Sequence, residues 1–141
     1  MECSRQKRVC SYQIVIKYAI KSFISDGVNR MANHEFGIME TVPKESQRFD
    51  KYEPQKYEHI KINDGFIEPL LPEFQSIPCF WHTLKRPEMN LAYSGITLIP
   101  PESIDAFISV FNRHCEEQYK EIIALFEQAK RKNKYIIHFG I

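Results

Sequence analysis

Two adjacent prolines constrain this chain more than any other feature. Pro100 and Pro101 stand inside LAYSGITLIPPESIDAFISVF, Leu91–Phe111. Before them, Ile96 and Leu98 alternate with Tyr93, Thr97 and Ile99, the pattern of a strand with two different faces. After them, Ile104, Phe107, Ile108 and Phe111 fall at i, i+3, i+4 and i+7, one face of a helix. Proline ends the strand because it cannot donate to a ladder. It also opens the helix without loss, since a first-turn N–H has no partner inside the helix. Glu102 suits the positive end of that helix. A strand running straight into an amphipathic helix must fold so that the helix packs back on the sheet.

The remaining segments extend this to an α+β plan. EHIKIN (Glu58–Asn63) alternates polar and apolar residues and predicts a half-buried strand. DGFIEPLLPEF predicts a short kinked helix with Asp64 as N-cap, because Pro69 and Pro72 interrupt it. CFWHTL (Cys79–Leu84) and Leu91–Pro100 predict a hairpin, joined by KRPEMN as a charged turn. EEQYKEIIALFEQAKRKNK predicts a second long helix with acidic residues first and basic residues last, capped by Asn133. YIIHFGI predicts an apolar central strand. The order is βαββααβ: a single sheet with a ββ hairpin and with helices on one face, and a ferredoxin-like split βαβ arrangement is an available topology. The domain proper is expected over 58–141. Residues 31–57 are expected to form an irregular arm, pinned by Phe36, Ile38, Phe49, Tyr52 and Tyr57.

Charge is uneven along the chain. Residues 1–30 carry six Lys/Arg against two acidic residues, net +4, and the remainder carries 13 against 16, net −3. The basic leader has no uninterrupted apolar stretch of the roughly 7–15 residues that a signal peptide needs. Met31-Ala32 reads as a natural start, and Gly27-Val28 can encode a ribosome-binding core just upstream. The leader is therefore expected to be a start-site artefact; the other reading is a loosely docked amphipathic helix over about 11–25. Four cysteines, Cys3, Cys10, Cys79 and Cys115, form no dense framework and fit a reducing cytoplasm. No membrane segment and no nucleic-acid role are expected, given a net charge of +1.

Motifs for chemistry are sparse. Cys79-x-x-His82 has metal-like spacing, but residues three apart on a strand face opposite ways, so no metal site is expected. Cys79 and the His114-Cys115 pair are weak candidates for nucleophiles, and no catalytic residue is assigned. Lys130–Lys134 ends a helix, where cations belong for local reasons. Two surfaces remain as binding candidates. One is an aromatic and imidazole patch of Trp81, His82, Tyr93 and His138. The other is an acidic helical face of Glu102, Asp105, Glu116, Glu117 and Glu121, suited to a basic partner.

FGIME, RFDKYEP, FWHTLKRPE, LAYSGITLIPPES and KYIIHFGI, spread over about 34–141, resemble a family of small bacterial proteins. That resemblance implies no established activity and transfers no catalytic residue. Size, charge and the strand-Pro-Pro-helix style also resemble immunity proteins of bacterial toxin systems. The expectation is a cytoplasmic, cofactor-free, non-enzymatic module that binds a protein partner, of the immunity or regulatory type. The alternative is a small enzyme or ligand-binding domain with His82, His138 and Tyr93 in one pocket.

Overall fold

The computed structural model describes residues 32–114 and 117–141. The basic leader, with the expected start at Met31, lies outside the described residues. Among the described residues six strands form one sheet: β1 Asn33–Met39, β2 Glu58–Asn63, β3 Pro78–Trp81, β4 Pro87–Met89, β5 Ile96–Ile99 and β6 Tyr135–Phe139. Their order is β2-β1-β6-β5-β3-β4, and every adjacent pair is antiparallel. The α+β class and the central place of β6 are as expected. The split βαβ variant would place a strand between the two strands that a helical crossover joins; here β5 and β6, joined through the two long helices, are direct antiparallel neighbours, so that variant is not adopted.

Three local readings are corrected. The arm is not irregular from residue 31: Asn33–Met39 is an interior strand between β2 and β6. KRPEMN is not all turn, since Pro87–Met89 pairs with β3 as an edge strand. β3 still pairs with β5, Phe80 opposite Leu98 and Trp81 opposite Thr97, so the expected pairing survives with shorter strands. Proline at the first position of an edge strand costs no ladder bond. The N-cap after β2 is Asn63, whose side chain accepts from the Gly65 N–H, and Asp64 is the first helical residue.

The helices follow their sequence signals closely. Asp64–Ile67 (α1) and Leu71–Phe74 (α2) are single turns joined by the 3-10 turn Glu68–Leu70, the kink the two prolines impose. α3 spans Pro101–His114 and α4 spans Lys120–Lys132. Asn133 ends α4 in the left-handed conformation, φ 55°, and its N–H returns to Ala129 and Lys130. The Lys130–Asp105 ion pair at 2.8 Å sets the end of α4 against the start of α3.

The two faces of the sheet are covered differently. Phe36, Ile38, Ile99 and Ile136 pack with the helical residues Phe107, Phe111, Ile122 and Phe126 in the main core. Each such side chain stabilises the fold by about 1.5–3 kcal/mol through burial. Met39, Ile96, Leu98, Ile137 and Phe139 face the other way, under Phe49 and Tyr57 of the arm. Alternation along each strand produces this division.

Candidate functional site

A chain of polar side chains runs through the helix-side face at one end of the sheet. His34 of β1 and His138 of β6 are both fully buried. His34 Nε2 lies 2.8 Å from Asp64 Oδ1, and His34 Nδ1 lies 2.8 Å from His138 Nε2. His138 Nδ1 lies 3.2 Å from Thr97 Oγ1, which accepts the Ala92 N–H at 2.7 Å. Tyr93 donates its hydroxyl to the second Asp64 oxygen at 2.8 Å. Register explains the convergence, because Phe36 and Thr97 flank His138 on the neighbouring strands.

Hydrogen-bond roles in this chain follow from its two ends. The Asp64 carboxylate accepts, so His34 Nε2 carries a hydrogen and a neutral His34 offers Nδ1 as acceptor. His138 Nε2–H then donates to it, and Thr97 O–H donates to His138 Nδ1. With both rings neutral, every group is satisfied and all donors point towards Asp64. Burial lowers the pKa of His34 against the opposing pull of Asp64. Burial, and then His34 itself, holds His138 well below the ordinary histidine value. Both rings therefore serve as a closed polar element of the core.

His82 does different work. It leaves β3 with φ 64°, a left-handed conformation that a non-glycine residue adopts only when its surroundings enforce it. Its carbonyl accepts the Phe49 N–H at 2.8 Å, and its ring Nδ1–H donates to the Phe49 carbonyl at 2.9 Å. The same nitrogen lies 3.1 Å from Asp50. The result is a two-point staple that fastens the arm to the sheet. Gly95 makes room for it, since a Cβ there would lie 2.8 Å from His82 Nε2.

Beyond the staple, the arm leaves an open groove over the sheet. Two clefts of about 280 and 290 Å³ adjoin, sharing Gln47, Phe49, Lys56 and Tyr57. Ile137, Phe139 and Met39 give them an apolar floor. Arg48, Lys51, Asp50 and Glu53 stand at the first cleft, and the second ends at Glu58, the first residue of edge strand β2. Beside the groove, the buried carboxylate of Glu35 accepts the hydroxyl of exposed Tyr52. That contact raises the Tyr52 pKa to about 12.

The expected binding residues disperse. Tyr93 and His138 belong to one network, while the His82 ring reaches the arm. The difference has a simple origin: His138 and Thr97 face the helices, and His82 turns to the opposite face. Trp81 donates its indole N–H to the Asn90 carbonyl at 3.0 Å, with the Arg86 guanidinium 5.2 Å over the ring. Glu102 and Asp105 sit at the start of α3, and Asp105 is paired with Lys130. Glu117 pairs with Lys120, and Glu121 opens α4 at the far end of the helical pair. Glu116 and Cys115 lie outside the described residues. The acidic residues thus form two separate ends. Burial pushes the Cys79 thiol up to about 12, which suits a core residue rather than a nucleophile.

Sequence reasoning missed His34, Glu35, Asp64 as a network member, and the groove. The available signal was HEFGIM, where His34, Phe36 and Ile38 alternate with Glu35, Gly37 and Met39. Among the described residues no cluster of three or more His, Cys, Asp or Glu is arranged to hold a metal, and no helix is long and apolar enough to cross a membrane. No family model, curated protein or solved structure matches the chain.

Proposed function

We propose that the protein is a non-catalytic module that binds a partner protein, and that an extended segment of the partner docks in the groove beneath the arm. The groove carries this reading. It has an apolar floor, a rim of both charge signs, and one end on β2, the last strand of the sheet among the described residues, where an added strand could pair. Apolar floors bind side chains, and charged rims select among partners. The internal engagement of the imidazoles supports the same reading. His34 and His138 use both ring nitrogens on neighbours, and His82 holds the arm. A toxin-immunity or regulatory partner is the concrete form proposed.

The test places a photo-reactive amino acid at Lys56, in the groove, and separately at Glu127, on exposed α4. Cross-linking in the native host, followed by binding of the identified partner in purified form, gives the readout. The reading expects one partner captured from position 56 and not from 127. Capture from 127 alone, or co-purification of a small molecule with no protein, would overturn it.

A further inference from the structure

The geometry points to the arm as a stand-in for the partner: residues 47–51 occupy part of the docking site, and the partner displaces them with an extended segment that carries an aromatic side chain followed by a carboxylate. This identity of the occupant rests on the docking reading above. Phe49 is held as a bound peptide residue is held. Its N–H donates to the His82 carbonyl at 2.8 Å, and its carbonyl accepts from the His82 ring at 2.9 Å. Its ring packs on the cluster of Met39, Ile96, Leu98, Ile137 and Phe139. Main-chain bonds that give affinity and a side-chain seat that gives selection are the two parts of extended-peptide recognition. The next residue adds a charge, since Asp50 lies 3.1 Å from the same His82 nitrogen.

The host is built with care and the guest is lightly held. On the host side, His82 takes the left-handed conformation, φ 64°, and Gly95 leaves the space its ring needs. A plain cover over an apolar face requires neither feature. On the guest side, residues 40–53 contain no helix or strand. Arg48 and Asp50 bond each other at the exposed surface, and Thr83 Oγ1 reaches the Glu45 carbonyl only at 3.4 Å.

The open groove leads straight to the seat, because Phe49 lines both of its clefts. Lifting residues 47–51 bares Leu98 and Ile137, which are buried beneath them, and joins them to the groove floor. Guest and partner then compete for one place. The partner's apparent affinity equals its intrinsic affinity reduced by the fraction of molecules whose arm is lifted.

The test supplies the guest from outside. The probe is the capped peptide QRFDKYEP, the sequence of residues 47–54, added to the full chain while the Leu98 and Ile137 methyl groups are followed by NMR. Phe49→Ala empties the ring seat and leaves His82 in place. In that variant the methyl shifts should saturate with peptide, at an affinity at least about tenfold above that in the wild type, where the seat is filled. A peptide with alanine in place of its phenylalanine should give no saturating shift, and neither should the intact peptide with Phe49→Ala/His82→Ala. Phe49→Val, a milder truncation, should rank with Phe49→Ala and serves if the latter fails to fold. No methyl shift in a folded variant with the emptied seat overturns the inference. So does wild-type binding as tight as that of the variant, which would place the peptide elsewhere. The peptide test needs no partner. Failed cross-linking beside peptide binding strikes the docking reading alone, and captured partner without peptide binding strikes the stand-in alone.

Discussion

The two faces of one sheet show opposite ways of covering a surface. On the helix side, α3 and α4 bury Phe36, Phe107, Phe111 and Phe126 completely, and even the polar chain from Asp64 to Thr97 is fully matched. On the arm side, an extended segment is held by a histidine staple, by Tyr52 on Glu35 and by two half-buried rings, and it leaves a groove. Because side chains alternate along strands, β1 and β6 serve both faces with adjacent residues. The lesson is that the most reactive-looking residues, His34 and His138, lie on the closed face. The face built of less conspicuous residues is the one left open.

The sharpest way to break this contrast is a matched truncation. Phe126→Ala on the helix side should cost about 3–5 kcal/mol in denaturant unfolding, the range for fully buried phenylalanine. Phe49→Ala under the arm should cost clearly less, about 1–2 kcal/mol, since its ring is only partly buried and its surroundings can collapse. Equal losses would mean that the arm belongs to the core.

The second test uses acid. His34 and His138 both have lowered pKa values in the fold, while an unfolded histidine titrates near 6.5. Below that value the unfolded chain binds protons that the fold refuses. Stability is therefore complete above about pH 6.5 and is lost as pH falls, by up to about 1.4 kcal/mol per pH unit for each ring. Replacing the pair with His34→Gln/His138→Gln should flatten that slope, as read from unfolding midpoints across pH.

These residues also mark what the sequence could disclose. The helix Pro101–His114 and the strand Tyr135–Phe139 were legible because their periods are clean and their ends carry proline or Asn133. β1 was not, because a central strand is expected to be apolar, and His34 and Glu35 occupy buried positions in it. Their partners, Asp64 and Tyr52, lie 30 and 17 residues away in sequence. No local pattern predicts such pairings, since they depend on strand order. Likewise the groove needs the arm to cross the sheet, which composition alone does not specify.

Two smaller effects sharpen the comparison. His82→Ala removes the ring half of the staple and should cost about 1–2 kcal/mol, while making Lys44, Arg48 and Lys51 far more sensitive to trypsin in a native fold. Gly95→Ala, which crowds His82, should give the same cleavage pattern. Lys130→Ala breaks the exposed pair with Asp105 and should change the unfolding midpoint by less than about 0.5 kcal/mol equivalent.

Amide hydrogen exchange of the unmodified chain tests the division between the faces most directly. The Phe49 N–H bonds to His82, the Tyr57 N–H to Pro54, and the Gly140 N–H, just past β6, to Gly95. The account predicts that the Phe49 and Tyr57 amides exchange through local opening of the arm, with protection far below global stability, whereas the amides of β6 exchange only on global unfolding. Arm amides protected as strongly as those of β6 would contradict it.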